Sequence, residues 1–159
     1  MISGRGWRLL AVLAASSLAI VGCTSGGVSP SPSVGGGGAA TVAVTLQEWA
    51  VVPATDSAPA GDITFDVTNE GPADVHEFVV IKTDLDAADL PTDADGVVDE
   101  AGEGMEVVDE IEDVPVGETQ SVTVTLDAGS YVLVCNIWTE EEGEAHYQLG
   151  MRTPFTVTD

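Results

Sequence analysis

The chain has only two histidines and two cysteines in 159 residues, so its capacity for side-chain chemistry is narrow and easily followed. His76 heads the run His76-Glu77-Phe78-Val79-Val80, Cys135 closes the run Tyr131-Val132-Leu133-Val134-Cys135, and His146 is followed by Met151 after four intervening residues. Two imidazoles, a thiolate and a weak thioether are the ligand set of a blue-copper site. Each residue alone has a plainer reading: His76 as a strand-end core residue, Cys135 as a buried apolar thiol, Met151 as core. Taken together they form one set that uses every histidine in the chain and leaves none for a second metal. Zinc is a poorer match, because a thioether is not among its usual ligands. A Cys–His hydrolase needs an exposed, activated thiolate and a third orienting group, whereas Cys135 closes an apolar strand.

These residues need rigid elements to hold them, and the periodicity from Thr41 onward is two. Val42, Val44 and Leu46 alternate with small or polar residues, as do Ile63, Phe65 and Val67, and Val122, Val124 and Leu126. Tyr131, Leu133 and Cys135 share one face of a strand, with Val132, Val134 and Asn136 on the other. Val75 to Ile81 is more continuously apolar, as for a strand covered on both sides. Phe155 and Val157 mark a last strand. Turn signals separate the runs at Pro53, Pro59-Ala60-Gly61, Asn69-Glu70-Gly71-Pro72, Pro115-Val116-Gly117 and Asp127-Ala128-Gly129. The expected fold class is all-β, an antiparallel sandwich.

The balance of 4 Lys+Arg against 27 Asp+Glu gives a formal charge of −23. A chain of this sign lacks the cationic face that nucleic acid or an anionic lipid surface requires. Its 44% apolar content is too high for an acidic disordered chain. The segment Asp84–Asp113 holds 13 of the acids and no base. It reads as an acidic loop or short-helix insertion, with helical turns expected near Leu85–Leu90 and Val107–Ile111. It does not fit the calcium-loop template of alternating Asp followed by Gly, so a solvated excursion is expected. A second acidic stretch, Glu140 to Glu144, lies between Cys135 and His146. Arg152 is one of two cations after Arg8, and a surface ion pair is its simplest use.

The N-terminus is a targeting segment. Arg5 and Arg8 precede a 14-residue apolar run, Leu9 to Gly22, shorter than the ~20 residues a spanning helix needs and laid out as a secretory signal. The run ends Ile20-Val21-Gly22-Cys23, which resembles the bacterial lipobox and implies lipidation of Cys23. Residues 1–22 are thus expected to be a lipoprotein signal peptide. Residues 23–40 form the lipidated Cys and a tether, Thr24 to Ala40 holding 6 Gly, 4 Ser and 2 Pro in 17 residues. The folded domain is expected over residues 41–159, anchored by lipid on the extracytoplasmic face of the cell membrane. A lone thiol exported to an oxidising compartment tends to survive when buried or bound to metal.

Over Thr41 to Asp159 the chain resembles the cupredoxins, the plastocyanin and azurin family. The motifs are the His heading a mid-chain strand, the Tyr-x-x-x-Cys strand, and the His-x4-Met that precedes a final strand at Phe155-Thr156-Val157. The resemblance implies a Greek-key β-sandwich binding one copper ion of type 1, with His76, Cys135 and His146 as trigonal ligands and Met151 axial. It also implies one-electron transfer rather than enzymatic catalysis. The alternatives are copper capture, storage or delivery at the cell surface, or a metal-free accessory module. A monomer is expected, with a redox or copper-handling protein as partner, cationic to match the acidic surface. Two features depart from the family. Ten residues, Asn136 to Ala145, separate Cys135 from His146 where the family has two to four. Glu77 stands where the family often has Asn tying the ligand loops together, a role that Asn136 is placed to share. Trp138 is a candidate for shielding the metal or forming a docking face, and Trp49 for core or rim packing.

Overall fold

The computed structural model describes residues 39–140 and 143–159. The expected signal peptide, Cys23 and most of the tether lie outside the described residues, as do Glu141 and Glu142. Eleven strands and one helical turn follow in order: β1 (Ala40–Gln47), β2 (Ala50–Pro53), β3 (Ser57–Pro59), β4 (Gly61–Asn69), β5 (His76–Thr83), β6 (Met105–Val114), β7 (Thr119–Leu126), β8 (Gly129–Val134), β9 (Trp138–Thr139), β10 (Glu144–Ala145), α1 (His146–Leu149) and β11 (Arg152–Thr158). Among the described residues no helix is long and apolar enough to cross a membrane.

The long strands form a β-sandwich. One sheet runs β2-β1-β4-β7 and the other β3-β11-β8-β5-β6, with β9 and β10 a separate two-stranded ribbon. The sheets are mixed, not purely antiparallel as expected: β1 pairs β4 in parallel, and β11 pairs β3 in parallel. Both parallel pairs involve strands distant enough in sequence for the chain to cross between sheets, which a hairpin connection would not permit. The alternating residues do what their period requires. Val42, Val44 and Leu46 of β1, Ile63, Phe65 and Val67 of β4, and Val124 and Leu126 of β7 meet Phe78 and Val80 of β5, Tyr131 and Leu133 of β8, and Phe155 and Val157 of β11. Phe65 stands at the centre, its ring 5.3 Å from Phe78 and 5.6 Å from Phe155.

The opposite face of the five-stranded sheet is also covered. Val79 and Ile81 of β5 and Val132 and Val134 of β8 pack with Leu90, Val98 and Tyr147 in a second core. The segment between Thr83 and Met105 therefore covers the sheet through Leu90 and Val98, while all eight of its acids stay exposed to solvent as expected. It is fixed by Tyr147, whose hydroxyl donates to the Ala87 carbonyl at 2.9 Å and accepts from the Leu90 N–H at 3.1 Å. The helical turn expected at Val107–Ile111 is instead part of strand β6, because the β-branched run pairs with β5. β6 is an edge strand, and its acids leave it poorly suited to pairing with another chain.

Asn69 joins three parts of the fold just ahead of His76. Its Nδ2 donates to the carbonyls of Asp74 at 2.7 Å and Val114 at 2.8 Å, and its Oδ1 accepts from the Gly71 N–H at 2.7 Å. Its main chain pairs with the β6–β7 turn, taking the Gly117 N–H at 2.7 Å, where Gly117 holds φ at +79°. Asn69 is fully buried, so removing its side chain takes away its bonds to two carbonyls and an N–H. Asn69→Ala is expected to lose about 2–4 kcal/mol of stability, read from urea denaturation. A loss below about 0.5 kcal/mol, the range of an ordinary surface change, would show that the latch contributes nothing.

Candidate metal centre

Three elements bring the candidate ligands to one end of the five-stranded sheet. His76 begins β5, and Cys135 immediately follows β8, the strand that pairs antiparallel with β5. The Glu77 N–H reaches across to Cys135 Sγ at 3.2 Å. Cys135 is also locked to the next strand, its N–H donating to the Met151 carbonyl at 3.0 Å. His146 starts the single turn of α1, held by its N–H on the Ile137 carbonyl at 2.7 Å, and its own carbonyl accepts the Met151 N–H at 3.1 Å. Gly150 closes that turn at φ +124°, and a Cβ there would stand 3.1 Å from the Trp49 carbonyl oxygen. Only glycine suits both demands.

The side chains converge. His76 Nδ1 lies 3.2 Å from His146 Nδ1, and Cys135 Sγ lies 3.4 Å from His146 Nδ1 and 3.8 Å from His76 Nδ1. A point equidistant from three atoms so spaced lies about 2 Å from each, close to the 2.0–2.1 Å nitrogen and 2.3 Å sulfur bond lengths of a first-row metal. His76, Cys135, His146 and Met151 are all 0% exposed. Two imidazole nitrogens and a soft sulfur, closed from water, fit a copper ion in either oxidation state. Met151 is placed beside the triad by its two main-chain bonds to Cys135 and His146.

The environment keeps the metal-free Cys135 and His76 neutral. Burial pushes the Cys135 thiol up to about 12, against the pull of the Glu77 and Ile137 N–H groups. Burial, then the nearby His146, holds His76 below the usual imidazole range, with Glu48 and Asp74 acting the other way. Glu77 rises to about 7, through burial first and the carboxylates of Glu110, Glu100 and Glu112 next, while the Asn136 N–H opposes the rise. Glu77, Glu100 and Glu110 have carboxylate oxygens within 4.8 Å of one another.

The neighbouring residues divide their roles differently from the sequence expectation. Glu77 makes the tie between ligand strands itself, its Oε2 accepting the Asn136 N–H at 3.1 Å. The Asn136 side chain turns instead to the acidic cover: Oδ1 accepts from Val98 N–H at 2.7 Å, and Nδ2 donates to the Val98 carbonyl and to Glu100 Oε1, each at 3.1 Å. Trp138 lies in the β9–β10 ribbon and is 42% exposed. The indole against the imidazoles is that of Trp49, 4.9 Å from the His146 ring and 6.3 Å from that of His76. Arg152 forms no ion pair among those found in the described residues: its guanidinium lies 4.8 Å over the Tyr147 ring and donates to the Tyr147 carbonyl. Sequence reasoning missed Glu48, whose Oε1 accepts from the Ala73 and Asp74 N–H groups at 3.0 and 2.9 Å. Nothing in its local pattern marks it, because its partners are 25 or more residues away.

No family model matches the sequence, and no curated protein matches it. Solved structures do. The reduced auracyanin of the photosynthetic bacterium Roseiflexus castenholzii is 24% identical, with a TM-score of 0.54 over 77% of this chain and 100% of that one. Auracyanin B is 26% identical, with a TM-score of 0.52 over 79% of this chain and 94% of its own. Auracyanin A, a "blue" copper protein from the green thermophilic photosynthetic bacterium Chloroflexus aurantiacus, is 19% identical, with a TM-score of 0.52 over 76% and 100%. The fold is that of the cupredoxins, and the His–Cys–His cluster lies in it as a group suited to a type 1 copper site.

A buried thiol held near 12 has a thiolate fraction of about one in ten thousand at pH 8, and the thiolate is the reactive form. Cys135 in the folded, metal-free protein is therefore expected to resist iodoacetamide at pH 8 and to react at an ordinary rate once unfolded. Equal rates in the two states would contradict the closed site.

Proposed function

We propose that the protein is a type 1 copper protein that carries single electrons outside the cytoplasmic membrane, to which a lipid on Cys23 tethers it. The observation that carries this reading is the convergence of His76 Nδ1, His146 Nδ1 and Cys135 Sγ in a fully buried site. Copper bound there supplies a one-electron couple. His76, His146 and Cys135 would hold it in the trigonal positions, with Met151 as the axial thioether.

The chain's own contribution is rigidity and exclusion of water. His76 begins β5 and Cys135 directly follows β8, paired strands covered on both faces, so a change of charge at the site meets side chains that cannot reorganise cheaply. The Glu77 N–H at Cys135 Sγ favours negative charge on sulfur. Two histidines in the entire chain leave no ligands for the second copper site that a copper oxidase or reductase requires, which supports a carrier over an enzyme. The acidic surface suits a cationic redox partner. Copper capture or delivery is the second reading, and the ten-residue Cys135–His146 connection favours it by giving the loop room to open. The full burial of all four ligand residues favours the carrier. Diacylation would anchor the chain stably where one acyl chain would be marginal.

The purified protein loaded with Cu(II) is expected to bind one equivalent, turn intensely blue, and lose the colour in Cys135→Ser while still folding. Absence of the charge-transfer band would overturn the copper reading. Retention of Cu(I) against a competing chelator, together with a reversible couple, is expected of the carrier, and ready loss would favour copper delivery. In cells, Cys23→Ala is expected to move the protein from the membrane fraction to the soluble fraction. Unchanged membrane association would exclude the lipid anchor.

A further inference from the structure

The turn between β1 and β2 hangs from the four-stranded sheet and reaches the candidate metal centre, which is built on the five-stranded one. It contributes two neighbours in sequence, Glu48 and Trp49, and each meets an imidazole. Glu48 Oε1 is fixed by the Ala73 and Asp74 N–H groups, directly ahead of β5, and stands 3.8 Å from His76 Nε2. That is outside hydrogen-bond distance and well inside the distance at which a carboxylate's charge acts on a poorly solvated ring. The second oxygen, Oε2, is buried with no hydrogen-bond partner.

An unpartnered carboxylate oxygen removed from water costs free energy, so its position calls for a compensating positive charge. The Ala73 and Asp74 N–H groups that donate to Oε1 favour the charged form of this carboxylate. His76 turns Nδ1 toward His146 and Cys135 and Nε2 toward Glu48. With Nδ1 bound to a metal, the ring proton must reside on Nε2, and the ring becomes more positive. Carboxylates facing the remote nitrogen of a ligating histidine fix its tautomer and orientation and raise its basicity.

We infer that Glu48 is a positioning residue for His76: its anionic carboxylate, anchored on the Ala73 and Asp74 N–H groups, holds the ring with its proton on Nε2 and Nδ1 free for metal, and favours the more highly charged state of that metal. This inference rests on the copper reading. The chemistry is electrostatic. A fixed negative charge beside a ligand stabilises Cu(II) relative to Cu(I), so the site takes up its electron less readily than it would with a neutral side chain at position 48. Glu48 touches the ligand and not the metal, so it tunes the couple without adding to the coordination.

Glu48→Gln is the direct test, because it removes the charge and keeps an oxygen to accept from Ala73 and Asp74. The variant is expected to bind one copper and keep the blue band of the parent, while its reduction potential rises by about 59 mV, a tenfold change in relative Cu(II)/Cu(I) affinity for a one-electron couple. Glu48→Asp, which retains the charge, is expected to shift by less than half of that. Equal potentials in Glu48→Gln and the parent would overturn the inference, as would equal shifts in Gln and Asp, which would point to lost packing. A parent protein that binds no copper overturns the copper reading instead. The role of Glu48 is then decided by nitrogen-15 NMR of the metal-free protein, where His76 is expected on the Nε2–H tautomer in the parent and as a mixture in Glu48→Gln. An unchanged tautomer overturns the inference.

Discussion

Everything in this fold serves to hold three donor atoms, His76 Nδ1, His146 Nδ1 and Cys135 Sγ, closer together than they would choose to be. Their separations of 3.2 to 3.8 Å direct lone pairs into one small volume without water to relieve them. Two facing Nδ1 atoms can share at most one proton between them, and the thiol can offer only a weak donor. Such an arrangement persists only when surrounding structure over-determines each ring, and here each ligand is fixed by main-chain pairing of its own: His76 opposite Val114 of β6, Cys135 on the Met151 carbonyl, and His146 through its bonds with Ile137 and Met151. The donors are set by the scaffold before any metal arrives, as a site needs when its ligands must not move during a change of charge.

The sandwich alone would leave this end of the sheet open. Two additions close it from different directions. The β1–β2 turn brings Glu48 and Trp49 across from the opposite sheet, and the Thr83–Met105 segment, pinned by Tyr147 and Asn136, covers the outer face of β5 and β8. As a result His146 is fully buried, although it lies on a single helical turn outside the main sheets. The same tyrosine that secures the cover belongs to the turn that carries His146, and Arg152 stacks on it from the next strand. The cover and the ligand turn are thus one packed unit, and loosening either would disturb the other.

Much of this was readable in the sequence because it depends on local period and residue type. The alternation at Val42, Val44 and Leu46 or at Ile63, Phe65 and Val67 specifies strands with one buried face, and the scarcity of His and Cys left a single candidate ligand set. What escaped was decided by distant partners. The run Val107–Ile111 has no strong helical or strand period, and pairing with β5 settled it as strand. Trp49 and Trp138 are indistinguishable by neighbours alone; only the crossing of the β1–β2 turn places the first against the imidazoles and leaves the second on the surface. The parallel pairing of β1 with β4 follows from chain crossings that no local window records. Asn69 read as a turn signal, and its buried side chain proves to be what ties that turn to the strands on either side.

The acidic surplus acquires a structural logic once β6 is recognised as the sheet edge. A long exposed edge offers unpaired main-chain groups to any passing strand, and Glu106, Asp109, Glu110, Glu112 and Asp113 make such pairing costly through like-charge repulsion. The cost falls inward as well. Glu110 and Glu112 lie near Glu77, whose half-buried carboxyl is pushed up to about 7, and Glu77 is bonded to the main chain that follows Cys135. The negative field of the edge therefore reaches one side of the ligand cluster while Glu48 faces the other. Neutral Asn at position 77 would tie the strands without that electrostatic burden, so the carboxylate there, like Glu48, bears on the charge balance of the site as well as on its geometry.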